Sequence, residues 1–234
     1  MKKIMFNDKY GLTAAVLNGK KTMTRRIIKA PRRNIEGKEV CGFAINKTPA
    51  GVPYEVWLTG PDEESLCQLL PTYKVGEVVA VAQAYKDIIG DHVFFVSSET
   101  GVSVHRAVME REKGWTNKMF VTAEFMPHHI RITDIKVERL QNISKEDCLR
   151  EGIEEDSAEG LLLYWWSVPH EGISWEEYKK RSYELARHEL NGKTGSYFWD
   201  TPQGAFAALI DKVSGKGTWE SNPWVFAYTF ELID

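Results

Sequence analysis

The stretch that most restricts what this chain can fold into lies near its end, PWVFAYTFELI (223–233). Trp224, Phe226, Tyr228, Phe230 and Leu232 recur at every second position, the period of a pleated strand with one buried face. An earlier segment, HIRITDIKVERL (129–140), alternates twice, slips one place at Thr133-Asp134 and alternates again. Such a slip is what a β-bulge writes into a sequence. VGEVVAVAQAY (75–85) and DHVFFVSSE (91–99) are strand-like as well. Helical patterns stand between and around these strands. Asn7 or Asp8 can cap a helix through KYGLTAAVLN that stops at Gly19. Further helices are expected at SKEDCLRE (144–151) and at SWEEYKKRSYELARHELNG, which opens with a Ser174-x-x-Glu177 capping box and closes at Asn191-Gly192. Another is expected at TPQGAFAALIDKV, with Thr201 as cap and Pro202 at the first helical position. Strands from both ends of the chain that bracket helical segments predict one α+β domain over 1–234, a small β-barrel of about five to seven strands with helices added. Residues 36–72, punctuated by glycine and proline, read as a hairpin or excursion outside the core, and 154–204 as a helical insertion.

A chain of 234 residues can bury a sizeable core, and its 43% hydrophobic and 27% charged content is ordinary for a globular protein. No apolar run approaches the ~20 residues that span a bilayer, so no membrane partner is expected. The start, MKKIMFNDKYG, lacks the apolar core of a secretory signal. Cys41, Cys67 and Cys148 are odd in number and widely spaced, which suits a reducing cytoplasm and argues against a zinc ribbon or disulfide framework. Neither a metal nor a cofactor is called for. A pI near 6.1 argues against a broadly basic nucleic-acid face.

Against that background, GKKTMTRR (19–26) stands out. No acidic residue occurs between Lys9 and Ile35, although the whole chain carries a formal charge of −3. Lys20, Lys21, Arg25, Arg26, Lys29, Arg32 and Arg33 are expected to form the most positive surface and to hold an anion. For an arbitrary lysine a solvated face is the commoner outcome, and Thr24 alone would pass as an ordinary strand residue. A strict strand also sends positions 21 and 24 to opposite faces, so shared chemistry needs a turn or bulge between them. His128-His129 point apart on a strand and are expected to be structural rather than metal ligands. The aromatic run LYWW (163–166) either stacks bases or, as the commoner case, packs a helical insertion against the barrel.

GKKTMTRR resembles the G-x-K-x-x-T-x-R signature of ASCH domains, a branch of the PUA-like β-barrel superfamily. YKVGEVVAVAQAY, ITDIKVERLQNISKEDCLREGI and WESNPWVFAYTFELI are similar, in the same order, to that family's strand after a Gly-acidic turn, its central strand and helix, and its closing strand. The resemblance covers about half the chain, and long members of this layout look like those carried by bacteriophages and prophages. It implies recognition of a nucleoside, nucleotide or RNA in a basic cleft. ASCH domains include proposed RNA binders, a ribonuclease and small amidohydrolases acting on N4-acetylcytidine. Carried over from the amidohydrolases, the catalytic lysine falls on Lys21, the nucleophilic threonine on Thr24 and the glutamate on Glu151. Lys20, Arg25 and Arg26, as the neighbouring cations, are expected to bind substrate or anion. The chemistry is consistent with this. Neighbouring cations disfavour a further ammonium and so favour a basic amine at Lys21, which a threonine nucleophile requires. A glutamate in the last turn of a helix suits a proton donor. Gln83 departs from the family, in which glutamate is frequent at that place, and this leaves binding without turnover open. A nucleic-acid-binding module and a protein-interaction module are the other classes that the sequence allows.

Overall fold

The computed structural model describes residues 1–96, 101–158, 161–166 and 199–234. Fourteen strands and six α-helices follow one another in these segments: β1 (Lys2–Ile4), α1 (Leu12–Leu17), β2 (Met23–Ile27), β3 (Asn34–Ile35), β4 (Lys38–Glu39), β5 (Gly42–Lys47), β6 (Pro53–Thr59), β7 (Ser65–Gln68), β8 (Val78–Val81), α2 (Tyr85–Ile89), β9 (Phe94–Val96), β10 (Ser103–His105), α3 (Arg106–Met109), β11 (His129–Arg139), α4 (Lys145–Arg150), β12 (Ile153–Ala158), β13 (Leu161–Trp166), α5 (Pro202–Ser214), α6 (Thr218–Ser221) and β14 (Trp224–Leu232). The fold is mixed α+β. Its main sheet runs in the order β1-β8-β11-β14-β2, with β1 parallel to β8 and the other neighbours antiparallel.

The two segments with the strongest alternation pair with each other at the middle of that sheet. Between β11 and β14 the register runs Ile130↔Leu232 to Ile132↔Phe230 and resumes at Asp134↔Thr229, so the expected bulge sits between Ile132 and Asp134. One face of the sheet carries Ile4, Val79, Val81, Ile130, Ile132, Tyr228 and Phe230 into the principal core. Helix α5 adds Ala205, Phe206, Leu209 and Ile210, spaced so that they share one helical face. Strand β8 is buried on both sides, because Ala80 and Ala82 enter a second cluster with Tyr85, Ile89, Met109 and Met126. Strand β14 differs from the one-faced expectation in the same way. Val225 and Ala227, on the face opposite Phe226 and Tyr228, are also buried.

Other segments depart from the sequence expectations for local reasons. The first helix starts at Leu12 rather than at Lys9, because Gly11 takes a left-handed conformation (φ 67°) that closes a 3-10 turn over Asp8–Tyr10 before α1 begins. Residues 36–72 are not merely peripheral. Strands β5, β6 and β7 form an antiparallel sheet, and alternation along β6 buries Val56 and Leu58. The region from 154 begins as an antiparallel hairpin of β12 and β13 rather than as helix. There Tyr164 and Trp166 join the principal core, and Trp166 stacks on Trp199 at 4.7 Å, so the aromatic run serves packing. The helix expected over 174–192 lies outside the described residues. His129 is tied to Asp234, with Nδ1 2.5 Å from Oδ2. No helix among the described residues is long and apolar enough to cross a membrane.

Helix α4 opens as expected, with the Ser144 hydroxyl accepting a hydrogen bond from the Asp147 amide at 3.1 Å. Ser144→Ala should lower unfolding stability by about 1 kcal/mol in urea denaturation, the usual cost of losing such a cap.

Candidate functional site

Lys21 is held before β2 by two backbone hydrogen bonds that clamp its segment between helices. Its own amide donates to Ala15 O at the side of α1 (2.9 Å), and the Thr22 amide donates to Arg150 O at the end of α4 (2.8 Å). The chain then enters β2 at Met23, so Lys21 lies just before the strand, after the turn that ends α1, and is not bound by the strand's alternation. Gly152 lets the chain after α4 pass against this segment. It sits at φ 98°, and a Cβ there would lie 3.5 Å from the Lys21 Cβ. These constraints bury an ammonium side chain, and Lys21 is only 2% exposed. Its Nζ donates to Glu151 Oε2 at 2.5 Å and to the Glu151 carbonyl oxygen at 2.7 Å.

Arg25 is the second buried cation. It stands opposite Ala227 in the β2–β14 register, and Glu138 stands opposite Val225 across the other side of β14. Directly opposed residues share a face of the sheet, so Arg25 and Glu138 meet diagonally over the small Ala227 side chain. The guanidinium Nε and Nη2 both donate to Glu138 Oε1, at 3.0 and 2.7 Å. Nη2 also reaches Asp147 Oδ2 (3.0 Å) and Nη1 reaches Glu151 Oε1 (3.0 Å). The Phe206 ring of α5 lies beside the guanidinium, 5.9 Å from its carbon. Asp147 and Glu151 are four residues apart at the end of α4, which puts both carboxylates on one side of the helix. Arg150 Nη1 stands 3.5 Å from Asp147 Oδ1, so three cations, Lys21, Arg25 and Arg150, face three carboxylates.

Burial pushes the Lys21 ammonium below the ordinary lysine value of 10.5, although contact with Glu151 opposes the shift; Arg26 and Arg25 add to it. For Arg25 the balance is reversed. Burial works against its charge, but Glu151 and Glu138 outweigh it and hold the guanidinium more firmly protonated than usual. Burial pushes the nearby Cys148 thiol up to about 12, which leaves it no thiolate for chemistry at neutral pH.

A cavity of about 390 Å³ opens beside this cluster. Lys21, Thr24, Arg25 and Glu151 line its polar side, with Arg26 and Lys29 at the exposed edge. Phe6, Leu12 and the α5 side chains Phe206, Leu209 and Ile210 line its apolar side. Because β2 is an edge strand, Thr24 and Arg25 reach the same cavity from opposite faces. Thr24 is 6% exposed, and its hydroxyl has no hydrogen-bond partner among the described residues.

The basic segment is therefore not one open positive patch. Lys20 lies outside the cavity lining and pairs with Glu154 at 2.8 Å. Arg25 is occupied by carboxylates, and Arg32 and Arg33 line a different cavity together with Glu39. Arg26 keeps its place at the cavity edge, with Nη2 donating to the Met5 carbonyl oxygen at 2.7 Å and its guanidinium carbon 6.0 Å from the Phe6 ring. The physical reason is that the acidic end of α4 folds onto the basic strand. Glu138 and Asp147 are partners that the sequence reading did not single out. The four-residue spacing from Glu151 signals Asp147, whereas nothing local signals Glu138. Gln83 is not part of the cavity lining, and its Oε1 is buried without a hydrogen bond among the described residues. Among the described residues no group of three or more His, Cys, Asp or Glu side chains is placed to hold a metal ion.

Arg25→Leu should leave three carboxylates facing one another with one shielding cation fewer, and should destabilise the fold by about 3–5 kcal/mol in urea titrations. Arg25→Lys should recover only part of that loss, since an ammonium cannot span three acceptors in a planar fork. Compared with protein-family models, curated proteins and solved structures, the chain matches none of them.

Proposed function

We propose that this protein is a PUA-like protein of the ASCH type, acting in the cytoplasm, that takes a nucleoside-sized ligand into the cavity beside Lys21 and hydrolyses an amide on a modified base such as N4-acetylcytidine. The observation that carries the proposal is the contact between Lys21 Nζ and Glu151 Oε2 at 2.5 Å, in a cavity that Thr24 also lines. The three residues to which the family resemblance assigns the chemistry lie 130 positions apart at the extremes, yet they meet in one place. The sheet lends support to the barrel-like architecture. Arg26, on edge strand β2, donates to the carbonyl oxygen of Met5, the residue after edge strand β1, so the two edges approach each other. A volume of about 390 Å³ is within the range of small-ligand sites, and its apolar wall suits a base while its polar side suits the reacting amide.

The chemistry needs a base, a nucleophile and an acid. Passage of one proton across the Lys21–Glu151 contact gives a neutral amine beside a carboxylic acid, and burial of Lys21 favours the amine. Lys21 then takes the Thr24 proton as Thr24 Oγ bonds to the acyl carbon. Glu151 returns a proton to the departing N4 nitrogen as the carbon–nitrogen bond breaks. Water cleaves the acyl-threonine ester, which releases acetate and restores the hydroxyl. Lys21, once it holds the Thr24 proton, is again a cation and is available to the developing oxyanion. Arg25, bound by three carboxylates, positions Glu151 instead.

Release of acetate from N4-acetylcytidine by the purified protein is the direct test. Lys21→Ala and Thr24→Ala should each lower kcat by at least about a hundredfold, with KM changed much less, because the groups removed act at the transition state. The rate should hold while the Lys21–Glu151 pair keeps its shared proton and should fall with rising pH as Lys21 loses it, with the fall centred below 10.5, since burial lowers the value at which that happens. Binding of nucleosides with no acetate released at any pH from neutral to alkaline would reduce the protein to a binding module.

A further inference from the structure

Around the cavity the cations fall into two groups. Lys21 and Arg25 are deep and each is matched by carboxylates. Arg26 and Lys29 stand at the exposed edge and form no ion pair among the described residues; Arg26 donates to a backbone carbonyl and lies beside an aromatic ring. Among the described residues the only carboxylate lining the cavity is Glu151, which is already engaged by both deep cations. The edge thus presents two unmatched positive charges on one side of a chamber whose floor is charge-balanced.

On the strength of the nucleoside-sized pocket proposed above, we infer that its ligand carries one phosphate, and that Arg26 and Lys29 anchor this phosphate at the mouth while the base enters between Thr24 and the α5 wall. A neutral nucleoside would leave both edge cations without a partner. A polynucleotide needs a row of unmatched cations along its path. Here the row is broken, because Lys20 is taken by Glu154 and Arg25 by three carboxylates. Two cations at the mouth of a cavity suit a single dianionic group, with the arginine able to donate a fork of hydrogen bonds and the lysine a point charge. Arg26 is also one of the cations that disfavour charge on Lys21, so a phosphate seated on it would be felt at the buried amine.

Isothermal titration of the full chain with cytidine, cytidine 5′-monophosphate and inorganic phosphate at low ionic strength tests this, alongside the variants Lys29→Gln and Arg26→Gln/Lys29→Gln. The expected result is that the monophosphate binds at least about tenfold more tightly than cytidine, and that the advantage shrinks in Lys29→Gln and vanishes in the double variant. Lys29 is exposed, so the single variant answers the question even if loss of the Arg26–Met5 contact disturbs the fold. Equal binding of cytidine and its monophosphate would overturn the phosphate anchor and leave the nucleoside pocket standing. Phosphate binding that depends on both cations, with no contribution from the base, would keep the anchor and overturn the nucleoside pocket. Tighter binding of a single-stranded oligonucleotide than of the monophosphate, with a steep salt dependence, would overturn the mononucleotide in favour of a polynucleotide.

Discussion

A single buried guanidinium holds the parts of this molecule in register. Arg25 reaches across β14 to Glu138 on β11 and down to Asp147 and Glu151 on α4, so one side chain links an edge strand, a central strand and a helix. The side chain is 1% exposed. A charge so removed from water is tolerable only when nearly every donor finds an acceptor, and Arg25 meets three carboxylates and a methionine sulfur. The arrangement demands room on the sheet, which Ala227 supplies opposite Arg25, and a helix end presenting two acids on one side, which the spacing of Asp147 and Glu151 supplies.

Lys21 depends on that arrangement. Glu151 uses one oxygen for Arg25 and the other for Lys21, so the guanidinium sets the orientation of the carboxylate that the ammonium meets. The two cations then respond oppositely to the same burial. Arg25 has several acidic neighbours and holds its proton more firmly, whereas Lys21 has, among the described residues, Glu151 as its one acidic contact and is pushed toward the neutral amine. A buried lysine that gives up its proton more readily than lysines in water is the kind of group that can act as a base. The lining of the cavity, polar on the Lys21 side and apolar on the α5 side, places that amine at the boundary between two environments.

The edge position of β2 matters for the same reason. In the middle of a sheet, Thr24 and Arg25 would serve two separate layers. At the edge, both side chains come around to one cavity, and Lys21, just ahead of the strand, adds a third. Strand β14, by contrast, is buried on both faces and contributes its alternate residues to two different tasks. Tyr228 and Phe230 fill the core, and Val225 and Ala227 form the floor beneath the Arg25–Glu138 contact.

Much of this was legible in the amino-acid order. Alternation marked β11 and β14, and strand-like composition marked β8; the slip at Thr133-Asp134 marked the bulge; Thr201 and Pro202 marked a helix start. These are local signals, set by backbone geometry within a few residues, and tertiary packing had no reason to override them. The hairpin of β12 and β13 and the burial of Val56 and Leu58 were not legible, because they depend on what each strand packs against. The charges of the basic segment show the limit most clearly. A run of lysines and arginines without nearby acids looks from the sequence like an open positive field. Only the fold brought Glu138, Asp147, Glu151 and Glu154 onto it from more than a hundred residues away, since opposite charges removed from water must be matched wherever in the chain the partners lie.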